Sequence, residues 1–295
     1  MNMGKILVVD DLPDWRNTLS GLLVDGGFSI CTASSTTEAL QMIEDEFFHV
    51  ALLDVRLDES DEGNRAGIAL MHEIKKREPS LEIIILTGFA DVSMIREALN
   101  PDHRGFSAAF CFLEKQDMGD LLTQVRRACE KSKGYIEHLI SQGENELVEF
   151  KSSIRWDFQK KNINKDLQIA IAKAIAGMLN QKGGVILVGV DDNGKVLGIE
   201  DDLRTLRKPT IDEFQVAITD LIRNYFGLKY RDYVRVRFDS INGKQISVLK
   251  IDASPEPVYL LAGDEPQLWV RIENSTQRLN VKAAMEYINS HWGMI

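Results

Sequence analysis

Five positions carry side chains able to handle a phosphoryl group: the pair Asp10 and Asp11, then Asp54, Thr87 and Lys115. Carboxylates brought to one edge repel each other unless a divalent cation joins them. Mg2+ accepts one or two carboxylates together with waters and a phosphate oxygen, which this set can supply. With such an ion bound, Asp54 can attack a phosphoryl group in line while the metal and Lys115 neutralise its oxygens. Thr87 offers a hydroxyl to the same oxygens, and Gly88 beside it leaves them room. This chemistry requires positions far apart in the chain to meet at one place.

The elements between them provide for that. Ile6–Val9, Val50–Leu53, Ile83–Leu86 and Phe110–Leu113 are short, continuous apolar runs rich in β-branched or aromatic residues, as strands buried on both faces are. Phe28–Ala33 is weaker and fits an edge strand. Between the runs, apolar residues recur at helical spacing: Trp15, Leu19, Leu22 and Leu23; Ala39, Leu40 and Ile43; Leu70, Met71 and Ile74; Val92, Ile95 and Leu99; Leu121, Leu122 and Val125. Repeated βα units predict an α/β fold, a doubly wound five-stranded parallel sheet whose site lies at the carboxyl ends of its strands. Asp10 and Asp11 follow the first run, Asp54 the third, Thr87 the fourth and Lys115 the fifth.

With VVDD, LLDVRLDE, LTG and FLEK in that order, the segment from about Gly4 to Glu130 resembles the flavodoxin-like receiver domain of response regulators. The resemblance implies Asp54 as phosphoacceptor, Asp10 and Asp11 as the acidic pair binding Mg2+, and the Arg56 carbonyl as a further ligand. It implies Thr87 as switch hydroxyl, Phe112 as switch aromatic and Lys115 as the cation on the phosphate, with a sensor histidine kinase as partner. Three features depart from the family. Gln116 stands where a proline often follows the lysine, Asp58–Arg65 before the family's glycine at Gly67 is long and acidic, and Asn100–Gly105 looks inserted.

At 295 residues the chain predicts two domains. No apolar run approaches the roughly 18–20 residues of a membrane span, and the N-terminus lacks a signal-peptide layout, so a cytoplasmic protein is expected. The three cysteines read as buried free thiols, and five scattered histidines give no zinc pattern. Acidity is confined to the first 130 residues, with 12 Lys and Arg against 23 Asp and Glu; the rest hold 23 of the chain's 35 basic and 22 of its 45 acidic residues. An acidic first half argues against nucleic acid there and leaves the second half free to bind it.

The expected division is a receiver over 4–130, a linker or signalling helix over 131–143 and an output domain over 144–292. Asp117 is placed to cap the last receiver helix, with Asp120 three residues on. Ile136, Leu139 and Ile140 continue the apolar pattern. The helix either runs on as a stalk able to pair two chains into a homodimer, or breaks at Gly134 into a plain linker.

The second half reads as α+β with mainly antiparallel pairing. Leu147–Lys151 alternates like a strand, and Asn164 leads a helix bearing Leu167, Ile171, Ile175 and Leu179, with Ala172 and Ala176 allowing close approach to a sheet. Val185–Val190 reads as a strand that turns through Asp191-Asp192-Asn193-Gly194 into Lys195–Leu197. Thr210 with Glu213 opens a helix carrying Phe214, Ile218, Leu221 and Tyr225. Val234–Ile241 and Lys244–Ile251 flank Asn242-Gly243 as a hairpin, and Leu268–Ile272 and a helix from about Val281 to His291 follow.

GENELVEFKSS, AIAGMLNQKGGVILVGVDDNGKVLGI and LWVRIENSTQRL, over about Gly143 to Asn280, resemble the Schlafen/AlbA-type domain, a module described as DNA-binding. Some eukaryotic Schlafen relatives are RNases with two Glu and one Asp around a divalent metal. Carried over, that implies Glu144, Glu149 and Asp191, or Asp192, as acids holding Mg2+ or Mn2+ for phosphodiester cleavage. Acids at a strand start or in a hairpin turn are also ordinary solvated groups. For DNA or RNA binding without cleavage, Lys151, Arg155, Lys160, Lys161 and Lys165 surround Trp156 and Phe158, which can stack on bases. Arg235 and Arg237 share a strand face, Arg204, Arg207 and Lys208 read as a loop, and Arg271 and Arg278 lie in the last motif. Three outputs stay open: nucleic-acid binding switched by phosphorylation, a gated nuclease, and a protein-interaction module.

Overall fold

The computed structural model describes residues 3–58, 61, 63–88, 96, 98, 99, 108–116 and 118–293. The chain divides into two compact units, Met1–Ile136 and Glu137–Ile295.

In the first unit β1 (Lys5–Val9), β2 (Ser29–Ala33), β3 (Val50–Leu53), β4 (Glu82–Thr87) and β5 (Cys111–Glu114) form one parallel sheet ordered β2-β1-β3-β4-β5. Alternate residues serve opposite faces. Leu7, Val9, Ala51, Leu53, Ile83 and Ile85 pack with Ala39, Ile43, Met71 and Ile74 from the helices Thr36–Asp45 and Ala66–Arg77. Ile6, Val8, Val50, Leu52, Ile84 and Leu86 pack with Leu19, Leu23, Leu121 and Val125 from Pro13–Asp25 and Leu121–Gln142. Both faces are covered, so the strands read as continuous apolar runs rather than alternating ones. The chain's direction of winding reverses between β1 and β3, and a doubly wound sheet leaves its crevice at that point.

The doubly wound parallel sheet expected from the sequence is present, with the weak run Phe28–Ala33 at its edge. Val92, Ile95, Asn100–Gly105 and Asp117 lie outside the described residues. The helix Leu121–Gln142 runs through Gly134 without a break for 22 residues, about 33 Å at 1.5 Å per residue. Only Cys129 is buried; Cys31 and Cys111 are partly exposed, which corrects the expectation of three buried thiols. Burial nonetheless pushes the Cys111 and Cys129 thiols up to about 11, which keeps them protonated and unreactive at neutral pH.

The second unit has two sheets and a hairpin. β6 (Val148–Lys151), β9 (Gly184–Val188), β10 (Val234–Ile241) and β11 (Lys244–Ile251) are ordered β10-β11-β9-β6, and only the β6–β9 pair is parallel. β12 (Tyr259–Leu260), β13 (Gln267–Ile272) and β14 (Ser275–Arg278) form an antiparallel sheet, and β7 (Trp156–Asp157) pairs with β8 (Asn162–Ile163). Ile171, Ile175 and Leu179 of the helix Lys165–Leu179 join Ile186, Val188 and Leu249 of the sheet and Phe214 and Ile218 of the helix Ile211–Tyr225 in one core. Small residues are what let that helix lie so close. A Cβ on Gly177 would come 2.8 Å from the Thr276 side chain.

Two local expectations need correction. The expected strand Val185–Val190 ends as β9 at Val188 and does not form a ladder with Lys195–Leu197; a single Val190–Val196 bridge closes the turn. Gly189 and Gly198 both have positive φ, and a Cβ on Gly189 would sit 3.0 Å from the Gly198 carbonyl carbon, so the chain bends away and crosses itself there. Arg204 closes the short helix Glu200–Arg204 and pairs with Asp201 at 2.7 Å instead of lying in a loop.

Candidate functional site

The residues expected from the sequence to handle a phosphoryl group meet at the crevice between β1 and β3. Asp10 follows β1 and Asp54 follows β3, and their strands are tied together by the Asp54 N–H donating to the Val9 carbonyl at 2.9 Å. Lys115 follows β5, with its N–H donating to the Thr87 carbonyl at 2.8 Å. Lys115 Nζ lies 2.7 Å from both Asp10 Oδ2 and Asp54 Oδ2. Asp10, Asp11 and Asp54 each bring one oxygen within 4.8 Å of the others, and they are the one such trio of acids among the described residues.

The electrostatics follow from burial. Asp10 is 1 % exposed, Thr87 1 %, Asp54 7 % and Lys115 8 %. Burial raises the Asp10 carboxyl above its ordinary range, and the hydrogen bonds from Lys115 and the Leu12 N–H only partly offset it. Burial pulls the Lys115 ammonium the other way, but its hydrogen bonds to Asp10 and Asp54 outweigh that and hold it above the usual lysine value. One ammonium against three carboxylates leaves an excess of negative charge, and Asp54 Oδ1 is buried with no hydrogen-bond partner among the described residues. An orphaned carboxylate oxygen beside two further oxygen donors suits a hard divalent cation, so the site fits Mg2+.

Two supporting residues escaped the sequence reading. Arg16 Nη1 donates to the carbonyls of Asp10 at 2.6 Å and Asp11 at 2.9 Å, bracing the acidic loop. The Trp15 ring centroid lies 4.9 Å from Lys115 Nζ. Phe112, in register with Ile85, is partly buried against the core, and Arg56 follows Asp54 two residues on.

Gly67 is placed by sterics. A Cβ there would lie 1.8 Å from the Asp54 carbonyl oxygen, and the Gly67 N–H donates to the Val55 carbonyl at 3.0 Å. Because the obstructing atom is backbone, Gly67→Ala must displace the segment carrying Asp54. It is expected to cost at least the ~1–3 kcal/mol typical of overpacking, read by urea unfolding of the receiver, and to lower phosphoryl uptake with it.

In the second unit the acids and bases part company. Glu144 Oε1 accepts from the Phe150 N–H at 2.7 Å, and burial raises its carboxyl. Glu149 is taken up by Arg271 and Lys151. Asp191 folds onto its own turn, accepting from the N–H groups of Asn193 at 3.0 Å and Lys195 at 2.9 Å, while Asp192 is exposed. Among the described residues no three of these acids bring oxygens within 4.8 Å of one another, although the charges of Glu149 and Asp192 help to raise the Glu144 carboxyl.

Arg271 as a nucleic-acid contact is corrected. It is 1 % exposed and spends its guanidinium on Glu149 and on the carbonyls of Asn145 and Val148. Arg235 is held by Asp252, its Nη2 donating to both carboxylate oxygens at 2.8 and 3.0 Å, Arg237 is half-buried beside it, and Lys151 lies on Glu149. Of the cations singled out in the sequence, those that reach solvent are Lys160 and Lys161 in the β7–β8 turn, Lys165 just after it, Arg204 ending its short helix, Arg207 and Lys208 before the helix Ile211–Tyr225, and Arg278 ending β14. Arg155 is half-buried at the base of the hairpin.

Asp202, in the short helix Glu200–Arg204, organises that hairpin. It is 1 % exposed and accepts from the Ser153 hydroxyl at 2.7 Å and from the N–H groups of Ile154, Arg155 and Trp156 at 3.0–3.1 Å. Asn180, fully buried, likewise ties Val258 and Trp269 together through its amide.

The family model for the response regulator receiver domain matches residues 6–126, and that for Schlafen, AlbA_2 matches residues 144–280. An NtrX-like response regulator of Rickettsia bellii is 32 % identical over 134 residues, 45 % of this chain and 26 % of that protein. The C4-dicarboxylate transport transcriptional regulatory protein DctD of Rhizobium meliloti is 30 % identical over 135 residues, 45 % of this chain and 27 % of that protein. This chain thus spans about a quarter of the length of these relatives. The solved receiver domain of NtrX from Brucella abortus is 36 % identical, covering 42 % of this chain and 98 % of that one, at a TM-score of 0.36.

Proposed function

We propose that this chain, a response regulator receiver domain joined to a Schlafen AlbA_2 domain, is a two-component response regulator phosphorylated on Asp54 by a sensor histidine kinase. The observation that carries the reading is Lys115 Nζ at 2.7 Å from both Asp10 and Asp54, beside an unpaired Asp54 oxygen. Asp10, Asp11, Asp54 and the Arg56 carbonyl would hold Mg2+, which would supply positive charge for the oxygens of the incoming group. Asp54 attacks phosphorus in line; the new O–P bond forms as the P–N bond to the kinase histidine breaks, and the histidine nitrogen leaves with its electron pair. Lys115 follows the phosphoryl oxygens, Thr87 donates its hydroxyl to one of them, and Phe112 moves with Thr87 to bias the surface of the receiver.

The output is nucleic-acid binding by the second unit, in a protein that works in the cytoplasm. Among the described residues no helix is long and apolar enough to cross a membrane. The β7–β8 hairpin supports the reading with Trp156 and Phe158 beside the exposed Lys160 and Lys161. Glu144 feels the charges of Glu149 and Asp192, but among the described residues no three of Glu144, Glu149, Asp191 and Asp192 bring oxygens within 4.8 Å of one another. Glu149 is held by Arg271 and Lys151, so cleavage has less support.

The test is a gel experiment on the full-length chain with labelled RNA, single-stranded DNA and duplex DNA, with Mg2+ or Mn2+ and with or without beryllofluoride. A shift that changes with beryllofluoride is expected. Metal-dependent products that vanish in Glu149→Gln would replace binding by cleavage, and no shift in any lane would favour a protein partner. If Lys160 and Lys161 each neutralise a phosphate, the double change to Ala lowers the log–log salt slope on single strands by about 1.4. A titration between 50 and 200 mM salt reads it, and an unchanged slope removes the hairpin from the interface.

A further inference from the structure

A cavity of about 220 Å³ opens beside the hairpin, lined by Arg155, Gln168, Ala217, Asp220, Asn224 and Tyr225, with buried Leu221 in its wall. Pockets for drug-sized ligands run to about 300–1,000 Å³. This one holds roughly seven waters' worth of volume, which is room for one flat ring system.

Its lining is mixed in a specific way. Ala217, Asp220, Leu221, Asn224 and Tyr225 share one side of the helix Ile211–Tyr225 at spacings of three and four. They supply an apolar floor, an aromatic ring, a carboxylate and an amide. Gln168 adds a second amide from the helix Lys165–Leu179, and Arg155 a guanidinium from the start of the hairpin. Asp220 is paired with Arg223 at 2.6 Å, and its charge beside Arg155 makes the cavity unsuited to a free anion. Amides that both donate and accept select a neutral group with a polar edge. Arg155 is half-buried, with its Nε buried and without a hydrogen-bond partner among the described residues, and its side chain forms part of the cavity lining.

Cavity and hairpin are built as one piece. The Arg155 N–H is held by Asp202 at 3.1 Å, and its carbonyl accepts from the N–H of Asn164, which caps the helix carrying Gln168. Trp156 follows Arg155 directly, and the exposed Lys160, Lys161 and Lys165 lie within the next ten residues.

We infer that this cavity seats a single unpaired nucleobase, so that the second unit prefers single-stranded nucleic acid. The base edge meets Arg155, Gln168 and Asn224, while the hairpin lysines follow the adjoining phosphates. A base inside a duplex presents neither its face nor its pairing edge, so duplex loses the pocket contacts and keeps only the electrostatic ones. This rests on the nucleic-acid reading above and adds to it the strandedness and the base contact.

The experiment uses the full-length chain, a fluorescein-labelled single-stranded RNA of mixed sequence, the same sequence as single-stranded DNA, and the RNA annealed to its complement. Anisotropy is read for the unaltered protein, Asn224→Ala and Arg155→Gln. Asn224 is exposed, so its replacement leaves the fold intact even where Arg155→Gln disturbs the hairpin. Asn224→Ala is expected to weaken single-strand binding about tenfold, the size of one good base contact, with duplex affinity and the salt slope unchanged. If both variants bind single strands as the unaltered protein does, or lose single and duplex binding equally, the base pocket is overturned while nucleic-acid binding stands. If the unaltered protein binds none of the three probes, the underlying reading falls and the pocket with it.

Discussion

Asp54→Asn incorporates no phosphoryl group from acetyl phosphate with Mg2+, under conditions where the unaltered chain is labelled to completion. Asn is nearly isosteric and keeps one oxygen, but it removes the charge that makes Asp54 both nucleophile and metal ligand. It also turns one end of the side chain into an NH2 donor, facing Lys115 Nζ, a donor now 2.7 Å from Asp54 Oδ2. The amide therefore flips or Lys115 retreats to Asp10. Removing one acid from a crowded acidic trio relieves repulsion, so thermal stability without Mg2+ should hold or rise. That separates chemistry from folding. Lys115→Met takes away the cation from Asp10 and Asp54 and should lower both stability and uptake. Labelling of Asp54→Asn at the unaltered protein's rate would mean that another residue is the acceptor.

The receiver was legible because its chemistry and topology are locked together. A parallel strand buried on both faces must end where its backbone can reach solvent, so Asp10, Asp54, Thr87 and Lys115 stand right after apolar runs, and the order of runs gives the sheet. The second unit was legible as strands, helices and hairpins for the same reason: Asn164, Thr210 and Asn242-Gly243 are local signals with local physics. What stayed hidden was pairing between distant residues. Asp202 looks like a solvated acid in Glu200-Asp201-Asp202, yet it gathers three N–H groups from residues almost fifty positions away. Arg155, Arg235 and Arg271 were alike in sequence as basic residues near a motif. One lines a cavity, one is clamped by Asp252, and one is interior. No periodicity distinguishes them, because each outcome depends on which carboxylate or carbonyl arrives from elsewhere.

Arg271→Met is expected to destabilise the second unit by about 3–5 kcal/mol, the cost of breaking a buried ion pair from one side. The guanidinium reaches from β13 to the segment entering β6, donating through Nε and Nη2 to the Asn145 carbonyl at 3.1 and 2.6 Å and through Nη2 to Val148 at 3.0 Å. Its remaining arm holds Glu149, whose side chain is only 12 % exposed. Methionine fills much of the stem but strips the Asn145 carbonyl of both guanidinium donors and leaves Glu149 to Lys151. The Val148 carbonyl keeps only the Asn145 N–H at 3.0 Å. Arg271→Lys should recover little, since one ammonium cannot reproduce a planar fork with donors on two sides. Arg271→Met with Glu149→Leu should be milder than Arg271→Met alone, because the stranded charge goes with its partner. Urea unfolding followed by the fluorescence of Trp156, Trp269 and Trp292 reads this, with receiver phosphorylation as the internal control for a change confined to one unit. An unfolding midpoint unmoved by Arg271→Met, together with weakened RNA binding, would return Arg271 to the surface as a nucleic-acid contact. A lowered midpoint makes it the tie between the two sheets, and its place beside Glu149 then explains why that glutamate is committed to the fold.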